Sequence, residues 1–259
     1  MNDGDDASQE RVAVVTGGTS GIGAATVRHL VRNGMLVAAH GRRQERLLEL
    51  EKSLNDVRRR VVGVPGDVNA PGSLARLFEA AEQEFGRPPS VFVLCAGIGQ
   101  PGTVLSSDPT KWHSLVETNF LSVLQQLREC ASLWLDSRIR QATGPIRDIV
   151  VIGSTIGRQV SALNPVYGST KFAVHSIVEA LRQEVCKEAI RVSLIEPGFV
   201  TSEFQVASGY DMQWFRTVEG DMGPLLAPED IARVAHFIVS SPPHVHIDDV
   251  RIRPTRQSV

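Results

Sequence analysis

Tyr167 and Lys171 stand four residues apart in Tyr167-Gly168-Ser169-Thr170-Lys171, within a stretch of helical period. That spacing puts a phenol and an ammonium on one helix face. A free phenol, with a pKa of about 10, is a poor base near neutrality, and a neighbouring cation favours its ionised form. Tyr167 is therefore a candidate to exchange a proton with a substrate oxygen. Tyr-x-x-x-Lys also occurs by chance on helix surfaces, so the pair needs company. Ser154 supplies it, because it follows the apolar run Ile149-Val150-Val151-Ile152-Gly153 at a C-terminal strand end, where open α/β sheets bind ligands. Its hydroxyl is placed to hold an oxygen while Tyr167 transfers the proton, with Thr155 beside it as the alternative donor.

A second group of residues has the chemistry of phosphate binding. The first apolar strand runs directly into Thr16-Gly17-Gly18-Thr19-Ser20-Gly21-Ile22-Gly23, after which the period turns helical. Gly17 allows a tight turn, Gly21 lets backbone approach a pyrophosphate, and Gly23 lets the helix pack closely while its N-terminal amides face the anion. Thr19, Ser20 and Ile22 belong to the same cradle. A glycine-rich turn also serves merely to reverse a chain. The second strand ends Ala39-His40-Gly41-Arg42-Arg43. A site for NAD(H) places a carboxylate there for the ribose hydroxyls, whereas a 2′-phosphate calls for cations. Arg42 first, and Arg43 next, are expected to clamp that phosphate by paired hydrogen bonds, so NADP(H) is expected in preference to NAD(H). Two arginines solubilising the start of a helix is the blander reading.

These residues must be positioned by alternating elements. Short apolar runs at Arg11–Thr16, Met35–His40, Arg60–Pro65, Val91–Cys95, Ile146–Gly153, Arg191–Glu196 and Val245–Ile252 predict seven strands. Helical periods fill the gaps at Ile22–Arg32, Gln44–Arg58, Pro71–Phe85, Pro109–Leu135, Pro165–Glu188 and Pro228–Ser240. The alternation predicts βαβ units and one α/β domain over residues 11–259, a doubly wound parallel sheet covered by helices on both faces. Residues 201–226 show no strand and carry Phe204, Tyr210, Met212, Trp214, Phe215 and Met222. They are expected to form a substrate lid suited to an apolar compound, although such residues also serve only for packing.

Composition narrows the partners. The apolar fraction is 42%, the charged fraction 22% and the formal net charge −2, which gives no electrostatic footprint for nucleic acid. No run approaches the roughly 18 apolar residues of a membrane span. The odd, widely spaced Cys95, Cys130 and Cys186 fit thiols in a reducing cytoplasm better than a disulfide framework. Residues 1–10, acidic and without a basic region before an apolar run, are expected to be a disordered leader. His244-x-His246-x-Asp248-Asp249 lacks a complete ligand set, so no metal is expected. Arg58-Arg59-Arg60 reads as a solvated helix end favoured by the helix dipole, and His40 and His175 are read as structural.

Thr16-Gly17-x-x-x-Gly21-Ile22-Gly23, with Ser154, Tyr167 and Lys171 downstream, resembles the short-chain dehydrogenases/reductases, in their NADP-preferring branch of about 250 residues. The 13-residue interval from Ser154 to Tyr167 also fits, and the resemblance spans Arg11 to Gln257. It implies a Rossmann-type sheet and hydride transfer between nicotinamide and a ketone or secondary alcohol. Tyr167 would be the general acid or base, its pKa lowered by Lys171 and by oxidised nicotinamide; Lys171 would also bind the nicotinamide ribose. Asn119 matches the family's helix-kinking Asn, which positions a water leading to the lysine; an Asn in a helix is often only solvated or bonded to its backbone. Asp67, next to Val68, matches an adenine contact, although a loop Asp also caps helices.

Cys95-Ala96-Gly97 stands where the family has Asn-Ala-Gly; Cys95 cannot reproduce the amide's hydrogen bonds, while Ala96 and Gly97 still admit the cofactor. Ser20 stands where many NADP-preferring relatives carry a base. Pro197-Gly198-Phe199-Val200 resembles the nicotinamide-side turn, with the hydroxyl of Thr201 or Ser202 and the backbone of Ile22 and Val200 orienting the carboxamide; a bare proline-glycine turn is the alternative. The expected function is a ketoreductase, with a 3-oxoacyl or polyketide-like substrate by analogy. A non-catalytic dinucleotide-binding subunit of the same fold is the rival reading. A homotetramer or homodimer is implied, with the helices at Pro109–Leu135 and Pro165–Glu188 at one interface.

Overall fold

A computed structural model describes residues 10–143 and 146–258. The expected leader, apart from Glu10, lies outside the described residues. Seven parallel strands form one sheet: β1 (Val12–Thr16), β2 (Leu36–Gly41), β3 (Val61–Pro65), β4 (Val91–Leu94), β5 (Arg147–Ile152), β6 (Ile190–Pro197) and β7 (Asp249–Ile252). Their order is β3-β2-β1-β4-β5-β6-β7, the doubly wound arrangement of a Rossmann-type fold. The inner strands are apolar at nearly every position because helices cover both faces. One face packs Phe92, Leu127, Trp134 and Val174; the other packs Val27, Leu30, Ile231 and Ile238.

The helices are α1 (Gly21–Arg32), α2 (Gln44–Leu54), α3 (Ser73–Phe85), α4 (Trp112–Val116), α5 (Ser122–Leu135), α6 (Ser137–Ala142), α7 (Pro165–Val185), α8 (Phe204–Ala207), α9 (Met212–Met222) and α10 (Pro228–Val239). Several boundaries differ from the sequence reading, each for a local reason. α2 stops at Leu54 rather than Arg58, because Asn55 turns the chain: its Oδ1 accepts from the amides of Arg60 (2.7 Å) and Val61 (2.9 Å). Arg58 and Arg59 therefore lie beyond the helix, paired with Glu10 and with Glu51 and Glu84. α3 begins at Ser73 rather than Pro71 because Gly72 precedes it in the left-handed region, at φ 67°. β7 begins at Asp249 rather than Val245, since the His246 side chain, not backbone, accepts from the Val192 amide (3.1 Å).

The single helix expected over Pro109–Leu135 is a 3-10 turn, α4, a π-helical turn at Glu117–Leu121 and then α5. Residues 201–226 hold two helices, α8 and α9, and Val200 pairs with Leu226 as an isolated parallel bridge.

Three strand starts are stitched by one buried ion cluster. Asp148 in β5, fully buried, accepts from Arg191 in β6 at 2.6 and 3.0 Å and from Arg11, just before β1, at 2.7 Å. Removing the carboxylate leaves the buried Arg191 guanidinium uncompensated, which typically costs about 3–5 kcal/mol. Asp148→Ala is accordingly expected to lower the free energy of urea-induced unfolding by that amount. A loss below about 1 kcal/mol would show that the cluster contributes no more than a surface pair.

Candidate active site

The expected site residues converge where β1, β4, β5 and β6 end. β1 and β4 are neighbours, yet the chain leaves them toward opposite faces, and the crevice this opens is where such sheets take ligands. The glycine turn fills its floor. Gly17 has φ 69° and lies so close to β4 that a Cβ would sit 2.9 Å from the Ala96 amide nitrogen. A Cβ on Gly23 would strike the Gly17 carbonyl, so both positions need glycine for space. Thr16 Oγ1 accepts from the amides of Cys95 (3.1 Å) and Ala96 (3.4 Å), fastening the turn to the Cys95-Ala96-Gly97 segment. Backbone donors thus bridge this junction where the family's Asn is missing. Burial pushes the Cys95 thiol up to about 12, against the pull of Lys171. Ile22 sits at the start of α1, and its carbonyl accepts from Thr26 Oγ1 (2.8 Å).

Where the adenosine end is expected, the two arginines take different positions. Arg42 is exposed at the entrance to α2. Arg43 instead folds over the turn and donates to Thr19 Oγ1 (3.0 Å) and Ser20 Oγ (2.6 Å). The cleft of about 740 Å³ beside the turn is lined by Gly18 to Gly21, Arg43, Arg46 and Glu203, among others. Arg46 and Glu203 carried no recognisable motif in the sequence; Arg46 lies in the first turn of α2 and meets Glu203 only in the fold. Asp67 forms a local turn, accepting from the Asn69 amide (2.9 Å), and does not cap α3, whose N-cap is Gly72. The Val68 carbonyl accepts from Ser73 Oγ (3.2 Å).

The proton-handling residues meet at the end of β5. Ser154 caps the 3-10 turn Thr155–Gly157, and its side chain is near enough to the Tyr167 phenol to act on it, pulling its pKa down. Lys171 is buried, donates to the Ile152 carbonyl (3.0 Å), and holds its Nζ 5.8 Å from the Tyr167 ring centroid. Burial lowers Lys171 to about 8, partly offset by Cys95.

The downward shift expected for Tyr167 is reversed in the protein alone. Desolvation pushes the phenol up, Tyr210 adds to this, and the nearby Ser154 side chain pulls less strongly the other way. The Lys171 ammonium is directed at a strand carbonyl rather than at the phenol oxygen, so its charge does not win. Asn119, buried in the π-helical turn, accepts from the Ile98 amide (2.9 Å) and donates to the Ile98 carbonyl (2.8 Å) and Thr170 Oγ1 (3.3 Å). It braces the loop after β4 against α7.

The nicotinamide-side turn splits its two candidate hydroxyls. Ser202 faces Gly21, where a Cβ would lie 3.4 Å from Ser202 Cβ, and its Oγ bonds Gln205 Oε1 (3.3 Å). Thr201 is exposed, with its amide donating to the Leu226 carbonyl (2.8 Å). Pro197 ends β6, the Gly198 amide donates to Ile252 (2.7 Å) and Val200 is buried. Above the site, Phe204 lies 6.0 Å from the Tyr167 ring and 6.3 Å from Tyr210, while Ser208 Oγ accepts from the Gly99 amide (2.8 Å).

His175, which has no motif to announce it, lies under the serine. Its Nε2 accepts from the Ser154 amide (3.4 Å), and it packs against Gly153 and Gly157. Behind it, buried Glu196 accepts from Arg158 Nε (2.7 Å) and Arg251 Nε (3.2 Å), anchoring the turn that follows Ser154. Among the described residues no group of three His, Cys, Asp or Glu is placed to hold a metal ion. No described helix is long and apolar enough to cross a membrane.

Comparison with known proteins agrees with this geometry. The family model described as short chain dehydrogenase matches residues 11–213. An uncharacterized oxidoreductase of Staphylococcus saprophyticus is 32% identical, over 95% of this chain and 98% of that protein. A closed form of serine dehydrogenase complexed with NADP+ superposes with a TM-score of 0.83 at 27% identity, covering 96% of both chains. An alcohol dehydrogenase from the archaeon Thermococcus sibiricus, complexed with 5-hydroxy-NADP, gives 0.79 at 25% identity, over 96% and 98%. The chain belongs to the short-chain dehydrogenase/reductase family of oxidoreductases.

Two histidines, His40 buried and His175 partly buried, give the fold a pH signature. Burial pushes both His40 and His175 down to about 4. Between pH 6.5 and 4 the unfolded chain takes up protons at these sites that the folded chain refuses, so stability falls as pH falls through that window. His175→Gln, which keeps an acceptor for the Ser154 amide, is expected to shed about one proton's worth of that slope in urea unfolding across the window. An unchanged slope would show that His175 titrates normally in the fold.

Proposed function

We propose that this oxidoreductase is an NADP(H)-dependent ketoreductase, acting on a ketone or, in reverse, a secondary alcohol. The observation that carries the reading is the meeting of Ser154, Tyr167 and buried Lys171 at the C-terminal end of β5, with Lys171 Nζ 5.8 Å from the Tyr167 ring centroid. The glycine turn, Cys95 to Gly97, Arg43, Ser202 and the Pro197–Val200 turn would hold the dinucleotide, with Arg42, Asp67 and Val68 at its adenosine end. Bound nicotinamide would supply the hydride.

Ser154 holds and polarises the carbonyl oxygen, and Tyr167 donates the proton that quenches its developing charge. A phenol pushed upward by burial stays protonated near neutrality, the form in which it can give a proton to a carbonyl oxygen. Lys171, charged below about 8, would bind the nicotinamide ribose, and Asn119 keeps α7 and the loop after β4 in register. NADP(H) over NAD(H) is supported by Arg43 and Arg46 flanking the cleft and by NADP named with both solved neighbours.

The segment 201–226 acts as the substrate lid. Its Phe204 and Tyr210, stacked beside Tyr167, suit an apolar ketone such as a 3-oxoacyl or polyketide-like compound. Exposed Leu121, Leu124, Leu135 and Phe172 fit a homodimer or homotetramer packed through α5 and α7 in the cytoplasm.

Tyr167→Phe is expected to lower the rate of ketone-dependent NADPH oxidation by about 10²–10⁴-fold while NADPH still binds in a fluorescence titration. A full rate in that variant would remove Tyr167 from the chemistry. For the unmodified enzyme, kcat/KM for reduction is expected to decline as pH rises through about 8, where Lys171 loses its charge. A profile flat through pH 10 would contradict the role given to the ammonium.

A further inference from the structure

The lid and the adenosine end of the cleft meet at one side chain. Glu203 immediately precedes α8, and its carboxylate reaches back to α2, accepting from Arg46 Nη1 at 2.6 and 2.7 Å and from Arg43 Nη1 at 3.2 Å. The same Arg43 guanidinium donates to Thr19 and Ser20 in the glycine turn. The two guanidiniums best placed for a 2′-phosphate are thus already engaged by an acid carried on the lid. Glu203 is about half exposed, as are both arginines, so solvent screens the pairs and a stronger anion can displace it.

We propose, resting on the reading of the protein as an NADP(H) enzyme, that Glu203 is a cofactor-specificity residue which occupies the 2′-phosphate subsite until NADP(H) displaces it. The chemistry of the two dinucleotides separates at this point. A 2′-phosphate is a dianion near neutrality and cannot share two guanidiniums with a carboxylate without like-charge repulsion, so it must expel Glu203. The neutral 2′-hydroxyl of NAD(H) is a donor and is served by a carboxylate, which Rossmann-type NAD sites place at the end of the second strand. Here that strand ends in His40-Gly41 and the lid brings the acid instead. Glu203 therefore opposes NADP(H) and tolerates NAD(H), narrowing the preference that Arg43 and Arg46 create.

The arrangement also ties the lid to the cofactor. Glu203 adjoins Ser202, which faces Gly21, and Phe204, which lies beside Tyr167. Expelling its carboxylate frees that end of α8, whereas NAD(H) leaves the Arg46 pair in place. Ionisation of Glu203 is favoured by Arg46 first, against a small burial penalty, and then by Arg43, as expected of a carboxylate standing in for a phosphate.

The test is calorimetric binding of NADPH and NADH to the wild type and to Glu203→Gln, with 2′,5′-ADP and 5′-AMP isolating the adenosine end. Loss of two exposed ion pairs is expected to tighten NADPH and 2′,5′-ADP about three- to tenfold, leaving NADH and 5′-AMP unchanged or weaker. Arg46→Ala, which removes a phosphate partner, is expected to weaken 2′,5′-ADP and leave 5′-AMP unchanged. If the wild type prefers NADPH but Glu203→Gln leaves the NADPH to NADH ratio unchanged, or lowers it, the inference falls and the NADP(H) reading stands. If neither protein binds NADPH more tightly than NADH, the NADP(H) reading falls and takes the inference with it.

Discussion

The divergence of the chain at the ends of β1 and β4 is the constraint on which the site depends. Two adjacent parallel strands, paired from Ala13 with Val91 to Thr16 with Leu94, send their next segments to opposite faces of the sheet. A crevice must open there, because no connection crosses it. The glycine turn and the Ser154, Tyr167 and Lys171 group sit on its rim. The glycine turn leaves β1, the Cys95 to Gly97 segment leaves β4, Ser154 leaves β5 and the Pro197 turn leaves β6. At the opposite edge of the sheet Asp148 gathers Arg11 and Arg191 beneath β1, β5 and β6. Buried ion pairs are weak sources of stability but strict about geometry, and here the geometry they enforce is the relative height of three strands that each present a functional group at their far ends.

The fold was largely legible because its signals are local and repeated. Apolar runs such as Val12–Thr16 and Ile149–Ile152 have no other way to be buried than in a covered parallel sheet, and seven of them alternate with helical periods. Boundaries failed where a side chain replaced the backbone as hydrogen-bond partner, as Asn55 does at the end of α2 and His246 does ahead of β7. Such substitutions leave no periodic trace. The break within Pro109–Leu135 was hidden for a different reason: a π-helical turn adds a residue without changing composition, and only the buried Asn119 marks it. Residues 201–226 read as irregular because α8 has a single turn and α9 presents only Phe215 as a buried residue.

Motif residues were legible to the extent that their chemistry is carried by neighbours in sequence. Gly17, Gly21 and Gly23, or Tyr167 and Lys171, announce themselves by spacing. Arg46, Glu203 and His175 do not, since each acquires its partner across the fold: Arg46 and Glu203 are 157 positions apart, and His175 and Ser154 are 21 apart. Ranking Arg42 above Arg43 was a choice that spacing alone does not decide. The turn of the chain at the start of α2 settles which guanidinium covers Thr19 and Ser20.

Burial and charge compete at the reacting end, and the outcome differs from what pairing alone would give. Lys171 and Tyr167 share a helix face, yet desolvation raises the phenol and lowers the ammonium together. A desolvated pair resists ionisation of both members, which keeps the proton on the phenol. Below the pair, neutral His175 accepts the Ser154 amide, and Glu196 is held by Arg158 and Arg251. Glu196, Arg158 and Arg251 are thus kept one layer below Ser154, where they fix the position of its turn. That separation follows from the fold: Glu196 and Arg158 lie on β6 and just past the serine turn, while Tyr167 enters from α7 above. A carboxylate moved into direct contact with Tyr167 would raise its proton affinity still further. With the paired charges of Glu196 and Arg158 beneath the serine, and Phe204 and Tyr210 above the tyrosine, the phenol stays protonated near neutrality.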